Sequence, residues 1–289
     1  MRCIACTFAS VLTFWAGTRT SYFCAVKNTR GPRSFMQFWL DTILQWERDK
    51  QRVVFIGLSA TKDVTDAVLA DPKYATRIST IDLRGWWYLP DGTLYAPRGG
   101  RQVAGRYRFG VEKTTPEQFY RQIREYRENW PHKALVHNIP GTRQHAWAAL
   151  MAGGSMLIGQ MPYPGLEDPA HYIAPERCRA IQSTYDFIRG HLADSLPAMK
   201  PSAVVKGSGK RTWCLASPGH TYLVYALAGG RIQLDLADAK RALHAQWFDP
   251  RGGKLSDAGS TSVAPRHTTI FQAPDDRDWV LWLKDTPGG

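Results

Sequence analysis

The run Ile81-Asp82-Leu83-Arg84-Gly85-Trp86-Trp87-Tyr88 concentrates groups that could bind or transform a substrate. On an extended strand Asp82, Arg84 and Trp86 share one face, because side chains alternate. A carboxylate and a guanidinium can take sugar hydroxyls while an indole stacks on the ring. The same three side chains also make a structural Asp–Arg pair beside a core Trp, and the residues leave both readings open. Trp87 and Tyr88 extend the aromatic patch. A second acid, Asp63, follows Leu58 by five residues, where a helix opens. It either contacts substrate or serves as a first-turn acid favoured by the helix dipole. His137 and Asn138 close another short apolar run; the amide of Asn138 can orient a hydroxyl or a water.

Other chemistries are poorly served. The histidines, at 132, 137, 145, 171, 191, 220, 244 and 267, show no HExxH or other ligand spacing, so no metal is expected. Cys3-x-x-Cys6 has no second CxxC and no nearby His. No Ser-centred elbow precedes a helix. Gly99-Gly100 and Gly153-Gly154 lack the spacing of a phosphate loop, so no nucleotide cofactor is expected. The segment Arg98-Gly99-Gly100-Arg101 to Arg106-Tyr107-Arg108-Phe109 is basic with interleaved aromatics. It reads as a solvated loop or as a surface for an anionic polymer.

These residues need elements to hold them. Residues 52–58, 78–83, 134–137 and 156–159 are short apolar runs that read as buried strands. Between and around them, residues 35–49, 62–70, 116–129, 144–152 and 176–192 have helical spacing. In residues 35–49 the apolar positions are Phe35, Phe38, Trp39, Ile43 and Trp46. Thr115-Pro116-Glu117 supplies an N-cap, a Pro at the first helical position and an acidic first turn. Such alternation predicts parallel strands covered by helices, three or four βα units or about half of an eight-fold barrel. From about Pro201 the texture becomes short alternating segments broken by Pro/Gly turns. Six strands follow, Gly229-Gly230 marks a hairpin, and residues 211–285 read as an independent β-sandwich.

Composition agrees with a folded chain. The 289 residues are 44% hydrophobic and 21% charged, which excludes wholesale disorder. The formal charge is +12, yet residues 202–289 hold 11 basic and 8 acidic side chains against 26 and 17 before them, so the surplus is spread. Nucleic acid is therefore not an expected partner, and no apolar run is long enough to span a membrane. Residues 1–25, with Met1-Arg2 before a nearly apolar stretch, read as a secretory signal or as a non-native start. A secreted or periplasmic location follows from the first reading.

Taken together, Ala216-Ser217-Pro218-Gly219, Tyr222-Leu223-Val224-Tyr225, Ile232-Gln233-Leu234-Asp235-Leu236, Trp247-Phe248-Asp249-Pro250-Arg251-Gly252-Gly253, Phe271-Gln272-Ala273-Pro274 and Asp278 to Leu283 resemble a known sandwich. It is the "putative collagen-binding domain of a collagenase" that follows the barrel in bacterial apiosidase-like glycoside hydrolases. Phe38-Trp39, Ser59 to Val64 and Ala146 to Gly154 resemble the second half of the associated barrel. The resemblance implies an α/β plus all-β chain: a partial (β/α)8-type barrel over residues 26–200, then an antiparallel β-sandwich over 211–289. Residues 22–28 would be strand 4. The catalytic glutamates of that barrel group stand at the ends of strands 4 and 7, where this sequence has Lys27-Asn28-Thr29 and His137-Asn138-Ile139. Asparagine is neither acid nor nucleophile. Asp82 and Asp63 are the substitutes, and they would need to lie about 5–5.5 Å apart for retention or about 6.5–9.5 Å for inversion.

Three functions remain. The first is a glycoside-hydrolase-like protein acting on plant or microbial polysaccharide. The second is a non-catalytic sugar binder on the same scaffold, using Arg84, Trp86, Trp87, Tyr88, Asn28, Asn138 and His137. The third and most distant is a basic nucleic-acid binder. A half-barrel would also leave an open edge that a homodimer could cover.

Overall fold

The computed structural model describes residues 22–23, 32–83, 85–100, 114–137, 142–156, 175–207, 211–260 and 268–285. The signal-like stretch, the Cys3–Cys6 pair, Asn28, Arg84, Asn138, and residues 101–109 of the basic segment lie outside them.

The first part runs β1 (Tyr22–Phe23), α1 (Arg33–Lys50), β2 (Phe55–Leu58), α2 (Lys62–Leu69), α3 (Pro72–Ala75), β3 (Ile78–Asp82), a small hairpin of β4 (Trp87–Tyr88) and β5 (Leu94–Tyr95), α4 (Pro116–Asn129), β6 (Ala134–His137), α5 (Arg143–Met151), β7 (Ser155–Met156) and α6 (Pro175–Phe187). The strands β1-β2-β3-β6-β7 form one sheet in that order, all parallel. One core cluster joins Ile56, Leu58, Ile81 and Leu135 of the sheet to Leu40 and Ile43 of α1, Val64 and Val68 of α2 and Phe119 and Ile123 of α4. These helices therefore cover one face of the sheet. On the other face Phe55 is 63% exposed and Ala134 is exposed.

Helix α4 starts where Thr115-Pro116-Glu117 predicts, with the Thr115 hydroxyl accepting from the Gln118 N–H at 3.4 Å. Helix α1 turns a different face inward than its apolar residues suggest. It buries Met36, Trp39, Leu40, Ile43 and Glu47, a stripe at helical spacing, and leaves Phe38 56% exposed. The acid belongs to this stripe because its carboxylate takes the Arg77 guanidinium, at 2.5 and 2.7 Å, and the Val54 N–H, at 2.7 Å.

The second part is antiparallel: β8 (Lys200–Ser202), β9 (Val205–Lys206), β10 (Thr212–Ser217), β11 (Thr221–Ala226), β12 (Arg231–Asp235), β13 (Leu243–Asp249), β14 (Lys254–Ser260), β15 (Thr268–Gln272) and β16 (Trp279–Asp285). They form a six-stranded sheet, β14-β13-β16-β11-β10-β8, and a three-stranded sheet, β15-β12-β9. A cluster containing Tyr222, Val224 and Leu281 of the large sheet and Ile232, Leu234 and Phe271 of the small one lies between them. Two expectations change. The sheets begin at Lys200, ahead of residue 211. Gly229-Gly230 does not close a hairpin, because β11 and β12 belong to different sheets. Gly229 has φ +55°, and a Cβ there would meet the Asp275 carbonyl at 2.0 Å, so the glycine lets the chain cross between layers.

The two parts are packed together. A third cluster joins Trp147, Ala148 and Met151 of α5 and Phe187 of α6 to Trp213, Leu223, Tyr225, Phe248 and Trp282 of the large sheet. Residues 211–285 thus share a buried cluster with what precedes them. No helix among the described residues is long and apolar enough to cross a membrane.

Candidate functional site

Strands β2, β3 and β6 are parallel neighbours, so their C-terminal ends lie side by side, the edge where sites of α/β sheets are built. At the end of β2 the Thr61 hydroxyl donates to Asp63 Oδ1 at 2.6 Å and accepts the Gly100 N–H at 3.1 Å. The Gly99 N–H donates to Asp63 Oδ2 at 2.8 Å. Asp63, in the first turn of α2, thereby ties residues 99–100 to the strand end. Burial pushes its carboxyl upward, but the Gly99 N–H, the Thr61 hydroxyl and local backbone N–H groups outweigh this and hold it below its ordinary value.

Asp82 is the last residue of β3. A register shift beside Ser79 inserts one extra residue into this strand, so Ile78 and Ile81 both reach the helix-side core. Thr80 and Asp82 are left on the opposite face, each partly exposed. The Ser59 hydroxyl donates to Asp82 Oδ2 at 3.1 Å. The following turn is pressed against the β2 end, since a Cβ on Gly85 would meet the Ala60 carbonyl at 2.1 Å. Gln122 of α4, fully buried, holds that turn from the other side. Its amide N–H groups donate to the carbonyls of Leu83 at 2.8 Å and Trp86 at 2.6 Å. Sequence reading missed Gln122; a polar residue on the buried stripe of an amphipathic helix was the available signal.

The aromatic residues do not join Asp82. The strand stops at Asp82 and the turn at Gly85 ends the alternation, so Trp86 enters the helix-side core, 1% exposed. Its ring lies 5.5 Å from Tyr126 and 5.8 Å from Tyr88, with Lys62 Nζ 5.1 Å above it. Lys62 also pairs with Asp66 at 2.8 Å and Glu125 at 3.0 Å. Trp87, 1% exposed, stacks on Tyr95 at 4.4 Å. Tyr88, 7% exposed, donates its hydroxyl to Glu125 at 2.7 Å. His137 shares the helix-side face with Leu135; it is fully buried, 4.0 Å from the Phe119 ring. The one-faced Asp82–Arg84–Trp86 subsite is thus corrected: Asp82 and Trp86 lie on opposite sides of the sheet, and Arg84 is outside the described residues.

Beside Asp63, the described residues at these strand ends include Asp82, a partly exposed carboxylate that accepts from the Ser59 hydroxyl, on a face shared with Thr80. In the register of the sheet its row continues through Val136 to Ser155. Such a group can accept hydroxyl hydrogen bonds. Among the described residues no group of three or more His, Cys, Asp or Glu is placed to hold a metal ion. A groove of about 670 Å³, lined by Phe55, Thr80, Trp130 and His132 among others, opens toward the N-terminal ends of the same strands.

The fold is that of glycoside hydrolases. A solved glycoside hydrolase superposes with a TM-score of 0.58 at 14% identity, covering 88% of this chain and 61% of its own. A family 5 glycoside hydrolase from Bacteroides vulgatus ATCC 8482 gives 0.57 at 16% identity, covering 86% of this chain and 58% of its own. The chain spans about three fifths of the length of either protein. No curated protein matches it. Residues 201–284 match the family described as "Putative collagen-binding domain of a collagenase". Residues 17–164, just over half of the sequence, match the model of the "Domain of unknown function (DUF6298)", and the chain belongs to that family.

Proposed function

We propose that the chain is the carbohydrate-engaging part of a glycoside-hydrolase-type protein. An oligo- or polysaccharide lies across the C-terminal ends of β2, β3 and β6, and Asp82 takes its hydroxyls. The observation that carries this reading is Asp82 itself, partly exposed at the carboxyl edge of the sheet and accepting from the Ser59 hydroxyl on the face away from the helix-side core. The shared fold and the matched C-terminal family support it. In its finer form the reading is apiosidase-like, with Arg84, Asn28 and Asn138 as further polar partners and with export to where polysaccharides are met; this form rests on sequence resemblance.

Binding without cleavage is the favoured activity. Glycosidic cleavage needs a proton donor and a second carboxylate. Asp63 is held as an anion by the hydrogen bonds that tie residues 99–100, so it is a poor acid, and the positions expected to carry glutamate carry Asn28 and Asn138. The test is affinity electrophoresis through gels containing soluble arabinan, xyloglucan or pectin, alongside turnover of aryl glycosides. The wild type should be retarded by at least one polymer, and Asp82→Asn should weaken that binding roughly 10–100-fold, the worth of hydrogen bonds to a charged group. Equal retardation of both would place the sugar elsewhere. Robust turnover abolished by Asp82→Asn would replace the binding reading with a catalytic one.

A further inference from the structure

Helix α5 opens with a residue that its own backbone disfavours. Arg143 occupies the first helical position, where the free N–H groups make the positive end of the helix dipole and a cation is unwelcome. Its side chain reaches out of the α/β layer instead. Nε donates to Asp278 Oδ2 at 2.9 Å and a terminal N–H donates to Asp278 Oδ1 at 2.8 Å, a two-point fork on one carboxylate. Asp278, 3% exposed, immediately precedes β16, and the Tyr225 hydroxyl of β11 donates to its Oδ2 at 3.2 Å. A buried carboxylate of the β-layers is thus neutralised by an arginine of the parallel-sheet part.

From Arg143 the contacts continue to the strand ends. The N–H of Thr142, the cap of α5, donates to His145 Nδ1 at 3.2 Å. Nδ1 is therefore the acceptor, Nε2 carries the proton, and it donates to the Thr114 carbonyl at 2.6 Å. The Thr114 hydroxyl donates to the Tyr88 carbonyl at 3.2 Å, which fixes the segment following the Asp82 turn. Phe119 lies 5.1 Å from the His145 ring and 4.0 Å from His137, the last residue of β6.

We infer that Asp278 is a positioning residue for the strand-end site: it sets the start of α5 through Arg143 and, through His145, Thr114 and Phe119, steadies the ends of β4 and β6. This rests on the reading that sugar meets the molecule at the C-terminal ends of β2, β3 and β6, the last of which is one of the two steadied. The C-terminal β-layers are then part of the scaffold of the site rather than an appended module.

Hydrogen exchange followed by mass spectrometry on the full chain tests it, comparing wild type, Asp278→Asn, Arg143→Gln, the double variant and Asp275→Asn. Asp275 pairs with Arg277 and Trp279 inside the β-layers and serves as the control. Amides of residues 134–137 and 146–151 should exchange roughly 10–100-fold faster in either single variant. The double variant should be no faster than the singles, residues 221–226 should keep their wild-type rates, and Asp275→Asn should leave residues 134–151 alone. No change at 134–137, or uniform acceleration that includes 221–226, would overturn the inference. Arg143→Gln alters a partly exposed side chain and carries the test alone if Asp278→Asn fails to fold. Altered exchange with unaltered polysaccharide retardation keeps the coupling and removes the strand ends as the sugar site; unaltered exchange removes the coupling whatever the sugar does.

Discussion

Asp63 has the residue type and chain position of a catalytic acid, yet its hydrogen bonds give it different work. Because its folded value lies below the ordinary 3.8, its contribution to stability is fully present above that range and is lost as pH falls through the lowered value. The melting-temperature gap between wild type and Asp63→Asn should therefore be constant above about pH 5 and shrink on acidification; a gap independent of pH would contradict the hydrogen-bonded anion. Gln122 is the converse, a residue without catalytic credentials that holds the turn after Asp82. Gln122→Leu keeps volume but strands the buried carbonyls of Leu83 and Trp86, and should cost about 2–4 kcal/mol in chemical denaturation. The place of Asp82 at a strand end was legible from the apolar run that leads to it. Its separation from Trp86 was not, because the extra residue at Ser79 and the break at Gly85 both defeat simple alternation.

Helix α5 shows what a short element can carry. Ala149 and Ala152 sit in the cluster beneath the parallel sheet, while Trp147, Ala148 and Met151 sit in the cluster shared with the β-layers. Beyond its first turn of Arg143, Gln144 and His145 the helix is packed from both sides, so that stretch of its sequence reads as apolar rather than amphipathic. Trp147 lies 5.7 Å from Tyr225 and 6.0 Å from Phe248. Trp147→Ala should destabilise the protein by about 3–5 kcal/mol, measured as a shift of the denaturation midpoint. Helix α4 was legible to the residue because its cap, proline and acidic first turn are local signals. The inward face of α1 was hidden by the buried Glu47, whose value depends on a partner 30 positions away. Strands β8, β9 and β14 escaped notice because they are short or edge strands rich in polar and small residues, held by pairing rather than by an apolar pattern.

At the scale of the whole molecule, the change of texture near Pro201 announced two kinds of architecture, and the alternation before it announced parallel strands. The joint between them was invisible, since no local pattern says that Trp213 of β10 will stack on Tyr120 of α4 at 4.9 Å. With a cluster spanning that joint, far-ultraviolet dichroism, near-ultraviolet dichroism and tryptophan fluorescence should report one coincident unfolding transition; two separated transitions would mean that the parts fold alone. Every residue of β11 from Thr221 to Ala226 is buried, because one face looks toward the small sheet and the other toward α5. In β12, by contrast, buried Ile232 and Leu234 alternate with exposed Arg231 and Asp235. A saturation-mutagenesis library should therefore tolerate charged codons at every second position of β12 and at none of β11. Evolution faces the same constraint: a new binding specificity has room to accumulate on the three-stranded sheet, while the six-stranded one is free to change only together with the helix it supports.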